Sequence, residues 1–427
     1  MFNRKRFSVG VAAILMHAWA SQGISQVQWT KYANNPVLPH GDPNSFDEIT
    51  AVATTVMFHE GMYKMWYEGD DGFGYATSSN GITWFKHANN PVLEPGPGTW
   101  DEGAINNASV LVINNTYRMW YSGVDGLNEN RIGHATSFDG IEWTKDDDPV
   151  LNHGEPGTMD DEEVIHPFVM YEDPLYRMWY NGHDGTAQRI LYAYSFDGIE
   201  WTKFTDYPML EPGTLGSWTD GGLGPLCVVR AGHLYHMWYT AWNQAMDIQI
   251  GYATSPDGLV WTEYTSVNPV LSPGSPDSWD DWGVAVPNVR LEGQEFLMWY
   301  GGGDDVLFQT GLATSPYVTS VYEDHNNGPA IQTTPRFVLY QNYPNPFNPQ
   351  TSIQYHLPEP AIVKISIFDV SGRSVRKLIN SEFQSTGRHE IVWDGEDQFG
   401  RQVTTGIYFY RFEAGSYHET KRMTLLK

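Results

Sequence analysis

The chain has 427 residues, with 51 acidic against 25 basic side chains, a formal charge of −26 and one cysteine, Cys227. That length implies more than one domain. The acidity argues against nucleic acid as a partner, since phosphates are held by clustered Lys and Arg, and a single cysteine excludes an intramolecular disulfide. From about Pro335 onward the charges nearly cancel, so the acidity belongs to the preceding part.

Asn3-Arg4-Lys5-Arg6 precedes an apolar run from Phe7 to Trp19, and Ala18-Trp19-Ala20 offers small residues for cleavage. Residues 1–20 therefore read as a secretory signal peptide, too short and wrongly flanked for a membrane anchor. No other stretch is long and apolar enough to span a bilayer.

Next comes a tripeptide, Met-Trp-Tyr, written five times: at Met65, Met119, Met178, Met237 and Met298, with starts 54, 59, 59 and 61 residues apart. A period of that length signals a solenoid, propeller or array. Residues Tyr63 to Tyr67 alternate as a strand with two unlike faces. Asn80-Gly81, Asp139-Gly140, Asp197-Gly198 and Asp257-Gly258 are dipeptides of tight hairpins. Each repeat then holds an inner strand (Ala51 to Phe58 in the first), the Met-Trp-Tyr strand, an Ala-Thr-Ser strand and a Trp-Thr strand, the four strands of a propeller blade.

The fifth repeat stops at Leu312-Ala313-Thr314-Ser315, before its Trp-Thr strand, and the missing piece stands at Val27-Gln28-Trp29-Thr30-Lys31. The expected fold is all-β: a five-bladed β-propeller over 27–316, closed by an N-terminal strand that removes exposed sheet edges.

Alternating strand direction puts two sets of loops on one face. The loops entering the inner strands carry Asp47, Asp101, Asp160 to Glu163, Asp220 and Asp280; those after Met-Trp-Tyr carry Asp70, Asp125, His183-Asp184, Trp242-Asn243 and Asp304. Carboxylates beside Trp suit sugars, whose C–H faces stack on aromatic rings and whose hydroxyls meet acids. An acid recurring in every repeat, such as Asp47 or Asp101, also suits a structural role. The third repeat breaks the symmetry with four successive acids, including Glu162 and Glu163, followed by His166. Asn106, Asn107, His166, His183, Asp184, Trp242 and Asn243 are candidate ligand-binding residues. Neutral glycans or a cationic partner fit the charge better than anionic polysaccharides. No zinc or EF-hand spacing occurs; no cofactor is required, and clustered carboxylates around a funnel could hold calcium.

The five-fold pattern resembles the five-bladed propeller glycoside hydrolases of families 32, 43, 68 and 130. That resemblance implies catalytic carboxylates from successive blades: Asp47 as base or nucleophile, Asp101 as a tuning carboxylate, and Glu163 or its neighbour Glu162 as general acid. Counting back from Met-Trp-Tyr, the deep slots of the first two repeats hold Ala53 and Asn107 instead. Two functions follow: a glycosidase or glycoside phosphorylase, or a propeller that binds a glycan or surface partner without turnover.

After a polar linker at 317–335, a second pattern fills 336–427: Tyr343-Pro344-Asn345-Pro346-Phe347-Asn348-Pro349, Asp369-Val370-Ser371-Gly372-Arg373, Trp393-Asp394-Gly395 and Gly406-Ile407-Tyr408. Alternating strands there form an immunoglobulin-like β-sandwich. The motifs resemble the type A C-terminal sorting domain of the type IX secretion system. The resemblance implies that secretion machinery as a partner, and a protein carried through the periplasm to the outside or outer surface of a Gram-negative cell.

Overall fold

The computed structural model describes residues 29–317 and 338–426, apart from 206, 233, 265–266, 305, 340, 341, 343, 358, 359, 371, 386 and 416. The expected signal peptide, nearly all of the expected linker, and Val27, Gln28, Tyr343 and Ser371 lie outside the described residues. Among the described residues every element is a strand, and no helix is long and apolar enough to cross a membrane.

The first repeat is a four-stranded antiparallel meander: Val52–His59, Met62–Gly69, Gly72–Ser78 and Phe85–Lys86. The second and third repeat it, starting at Ala104–Ile113 and Glu163–Glu172, and the fourth starts at Gly222–Ala231. The fifth supplies three strands, Gly283–Glu292, Glu295–Gly303 and Phe308–Pro316. Its outer partner comes from the other end of the chain: Thr30 and Lys31 pair antiparallel with Thr314 and Ala313.

The turn chemistry explains the local folding. Gly140 sits at φ +80°, a region open to glycine, while Ser137 Oγ accepts from its N–H at 2.8 Å and Asp139 Oδ1 accepts from Ile141 and Glu142 N–H. The same Ser–Asp/Asn pattern closes the hairpins at Asn80, Asp197 and Asp257.

The Met-Trp-Tyr strand departs from the expected alternation. Tyr63 to Tyr67 are all buried, Lys64 included, because the outward face packs against the next repeat. Each triplet Trp lies against the aromatic residue two before the next Met: Trp66 on Tyr117, Trp120 on Tyr176, Trp179 on Tyr235, Trp238 on Phe296, and Trp299 back on Tyr63. Four of these indoles also donate to the glycine carbonyl of the next hairpin, with Trp299 reaching Gly81 at 2.8 Å. Trp238 Nε1 meets no such acceptor among the described residues.

The C-terminal unit is a sandwich. Val338–Leu339, Thr351–Leu357 and Gly387–Trp393 form one sheet; Ser374–Gln384, Ala361–Asp369, Gly406–Ala414 and Tyr417–Leu425 form the other. Trp393, Ile365, Ile367, Tyr410 and Phe412 fill the space between them. It docks on the third and fourth repeats. The Arg177 guanidinium, 1% exposed, donates to the carbonyls of Asp257 (3.0 Å) and Asn345 (2.9 Å), and Arg422 lies over the Tyr207 ring at 4.8 Å.

Candidate functional site

The loop acids have a shared and specific employment. Asp47, 3% exposed, accepts from Lys86 Nζ at 2.6 Å and Tyr67 Oη at 3.0 Å. Asp101 takes Lys145 at 2.5 Å and Tyr121 at 3.0 Å; Asp160 takes Lys203 and Tyr180; Asp280 takes Lys31 and Tyr300. Each unit ties an entering loop to the triplet Tyr and to the outer strand of its own repeat. The fourth repeat inverts it: Thr219 replaces the acid, Glu263 replaces the lysine, and Tyr239 donates to Glu263.

Asp47 and Asp101 therefore act as struts between loop, triplet Tyr and outer strand. Burial by itself would raise the Asp101 carboxyl, but hydrogen bonds from Lys145, Thr99 and Tyr121, with the Lys145 charge, hold it below the usual range.

The remaining sequence candidates divide into turn-formers and groups on the inner strands. Asp184 accepts from the N–H groups of Thr186 and Ala187, from Thr186 Oγ1 and from Arg189, which fixes a tight turn and holds its carboxyl well below the ordinary value against the opposing effect of burial. Asn243 closes the corresponding turn through Ala245 and Asp247 N–H. Trp242 is half-buried over Gly221, Gly222 and Gly224. Glu162 stands exposed on the rim, 3.8 Å from His183, whose Nδ1 accepts from Gly185 N–H.

Glu163, His166, Asn106 and Asn107 lie on inner strands. Glu163 accepts from Asn130 Nδ2 at 2.8 Å. Asn181 gives its amide N–H groups to the carbonyls of Leu223 and Arg189, so its Oδ1 is the acceptor toward His166 Nδ1 at 3.1 Å. The ring is then protonated at Nδ1 and lone-paired at Nε2. Burial pushes His166 down to about 4, the Asn181 bond opposing it, so the imidazole is neutral near pH 7. Asn106 Oδ1 is buried and meets no donor.

Asn107 leads to a residue the sequence reading did not single out. Every inner strand carries a bulge opposite its triplet Tyr, and Asn107, His166 and Val286 occupy it with φ of 42°, 55° and 48°. The bulge N–H points across to the preceding repeat, at the residue just after Met-Trp-Tyr. Ser122 accepts from His166 N–H at 2.8 Å and Thr240 from Val286 N–H at 2.9 Å. In the first repeat that position is Glu68, which accepts from Asn107 N–H at 3.0 Å.

The five residues in this column are Glu68, Ser122, Asn181, Thr240 and Gly301, so one carboxylate stands among neutral groups. Burial pushes the Glu68 carboxyl up to about 7, with the Asn107 hydrogen bond pulling weakly the other way. Aligning the position after each triplet would have exposed it.

Glu68 and Asn107 line a cavity of about 320 Å³ between the first and fifth repeats. Its opposite character comes from Trp282, 42% exposed, which meets Phe308 edge-to-face with ring centroids 5.7 Å apart. Gly301 keeps the wall thin there, since a Cβ would come within 2.8 Å of Val52. The cavity thus combines an aromatic platform with one protonatable carboxyl. Among the described residues, no group of three or more His, Cys, Asp or Glu is placed to hold a metal ion.

Comparison with known proteins bears on both units. Residues 348–417 match the FlgD Ig-like domain family. A solved structure titled as a thermostable family-43 glycoside hydrolase shares the fold, with a TM-score of 0.52 and 20% identity, covering 63% of this chain and 91% of that one. The 1,2-beta-oligomannan phosphorylase of Thermoanaerobacter sp. (strain X514) is 25% identical over 234 residues, 52% of this chain and 72% of that protein. The uncharacterized protein MT1551 of Mycobacterium tuberculosis (strain CDC 1551 / Oshkosh) is 31% identical over 229 residues, 50% of this chain and 72% of that protein. On that likeness the chain belongs to the same family as the uncharacterized protein MT1551.

Proposed function

We propose that this is an exported carbohydrate-active protein: a five-bladed propeller, closed by the strand at Thr30–Lys31, that takes a neutral glycan in the cavity between its first and fifth repeats. The single observation that carries this reading is the pairing of Glu68 with Trp282 in one cavity. An exposed indole and a carboxyl near neutrality are the two halves of a sugar site, one for the C–H face and one for hydroxyls. The carbohydrate-directed names of the phosphorylase relative and the hydrolase of like fold support it. The motifs of the C-terminal sandwich resemble those of type IX sorting domains, and on that resemblance the protein is delivered through the periplasm to the outside or outer surface of a Gram-negative cell.

Binding without turnover is the better-supported form of this activity. Hydrolysis ordinarily uses two facing carboxyls, and the struts consume Asp47 and Asp101. Turnover, where it occurs, rests on Glu68 as acid, the one carboxyl among the described residues that line the cavity. A glycan array with the full chain, followed by a reducing-sugar assay on each hit, tests both forms. Binding without product supports the first; product formation abolished by Glu68→Gln supports the second; no binding to any glycan removes the carbohydrate reading.

A further inference from the structure

Three observations concern charge at the cavity. First, Glu68 is the one ionisable side chain among the described residues that line it; the remaining wall is largely Val, Ala, Gly and aromatic carbon. Second, the cations on the surrounding loop face are already engaged. Lys86, Lys145, Lys203 and Lys31 belong to the struts, Arg131 to Asp125 and Glu129, and Arg189 to Asp184 and Glu211. Third, Asn107 N–H, a backbone donor aimed inward by the bulge, is capped by the Glu68 carboxylate and is not free to receive an anion.

An anion entering this space would meet a carboxylate, an apolar wall and, among the described residues, no available cation. Desolvating it there costs free energy that only a paired positive group returns. A related protein is named as a phosphorylase, a class whose second substrate is inorganic phosphate. Nothing in this cavity answers to that substrate.

We propose that the cavity is an anion-excluding subsite for one uncharged sugar ring, with Glu68 setting the selectivity, so that inorganic phosphate and uronic acids are rejected. Trp282 carries the ring and Glu68 serves a hydroxyl, while its charge repels carboxylate or phosphate oxygens. Any turnover at this site then uses water and not phosphate. The inference rests on the carbohydrate reading above and sharpens it.

The test uses the full chain and isothermal titration with three probes: inorganic phosphate, neutral gluco- and manno-oligosaccharides, and the matching uronate-terminated oligosaccharides. Wild type at pH 8 is expected to bind a neutral oligosaccharide about ten-fold or more tightly than its uronate counterpart, with no saturable phosphate binding. Glu68→Gln, which keeps an acceptor for Asn107 N–H, should narrow that preference to about two-fold. Wild type alone supplies a second readout, since the preference should shrink at pH 5.5, where Glu68 is protonated. Phosphate binding that competes with the sugar, an equal or reversed preference, or a preference unmoved by both Glu68→Gln and pH would overturn the proposal while leaving the carbohydrate reading intact. Failure of every sugar to bind would overturn both.

Discussion

Asn288 and Val56 join the fifth repeat to the first: Asn288 Oδ1 accepts from Val56 N–H at 3.0 Å, and its Nδ2 donates to the Thr54 carbonyl at 3.0 Å. The same position in other repeats does the same work with smaller groups. Thr55 bonds to Ala108 and Val110, Ser109 to Val169, and Cys227 to Val289. Phe168 alone has no polar group there and packs against Trp179. The seam thus receives the largest polar side chain at this position, where the chain offers no covalent continuity between inner strands. Asn288→Ala should cost about 2 kcal/mol, because it leaves a buried N–H and C=O unpaired. Thermal denaturation checks this. A loss no larger than that of Ser109→Ala would show that the seam is not specially dependent on Asn288.

The strut assignment predicts that Asp101→Asn lowers stability without selectively lowering glycan affinity. Removing one partner of a buried ion pair costs about 3 kcal/mol. The folded-state carboxyl titrates below its ordinary value, so this contribution is present above pH 4 and is lost as pH falls through the folded value. Wild type and Asp101→Asn should accordingly converge in melting temperature toward pH 2–3 and diverge at pH 7. Parallel curves across that range would show that Asp101 is not held by Lys145 in solution.

Glu68 has the opposite sign. Its folded value is raised to about 7 from an ordinary 4.5, so the native state holds its proton more tightly than the unfolded chain does. Stability from this group is fully present below pH 4.5 and is lost as pH rises through 7. The shift corresponds to at most about 3 kcal/mol. Glu68→Gln should therefore melt higher than wild type at pH 8 and alike at pH 4. A carboxylate that costs stability at its own position is what a functional group looks like. Equal melting at both pH values would place the carboxyl in ordinary solvent.

Arg177 predicts coupling between the two units. With Arg177→Met, the carbonyls of Asp257 and Asn345 lose their shared donor, and hydrogen exchange over 257–260 should rise. The comparison is internal, because Leu259 is 1% exposed whereas its counterparts Ile82, Ile141 and Ile199 are only half-buried. Unchanged exchange would mean that the sandwich does not depend on this arginine to cover the turn.

What could be read from the sequence was whatever recurs. Met-Trp-Tyr and the Asp-Gly hairpins recur, so the repeats, their strands and the pairing of Thr30 with Thr314 were legible from spacing. The struts were half-legible. The acids Asp47, Asp101, Asp160 and Asp280 attracted notice, but their partners Lys86, Lys145, Lys203 and Lys31, each two residues after a Trp, did not. The exchange of Thr219 and Glu263 in the fourth repeat records that partnership within the chain itself.

Glu68 is hard to read from the sequence because it directly follows a structural triplet and stands outside the acid-rich loops. The bulge that turns Asn107 N–H toward it has no local sequence signature. Arg177 was missed for a related reason: it resembles Arg118 in sequence, and only the position of the C-terminal sandwich distinguishes them.

The most direct test of the account is calorimetric titration of neutral oligosaccharides into wild type, Trp282→Ala and Asp101→Asn at pH 7. A saturable site is expected, weakened about ten-fold or more by Trp282→Ala and unchanged by Asp101→Asn in whatever fraction remains folded. Equal affinity in wild type and Trp282→Ala would contradict it, and would move the site away from the cavity that Glu68 and Trp282 share.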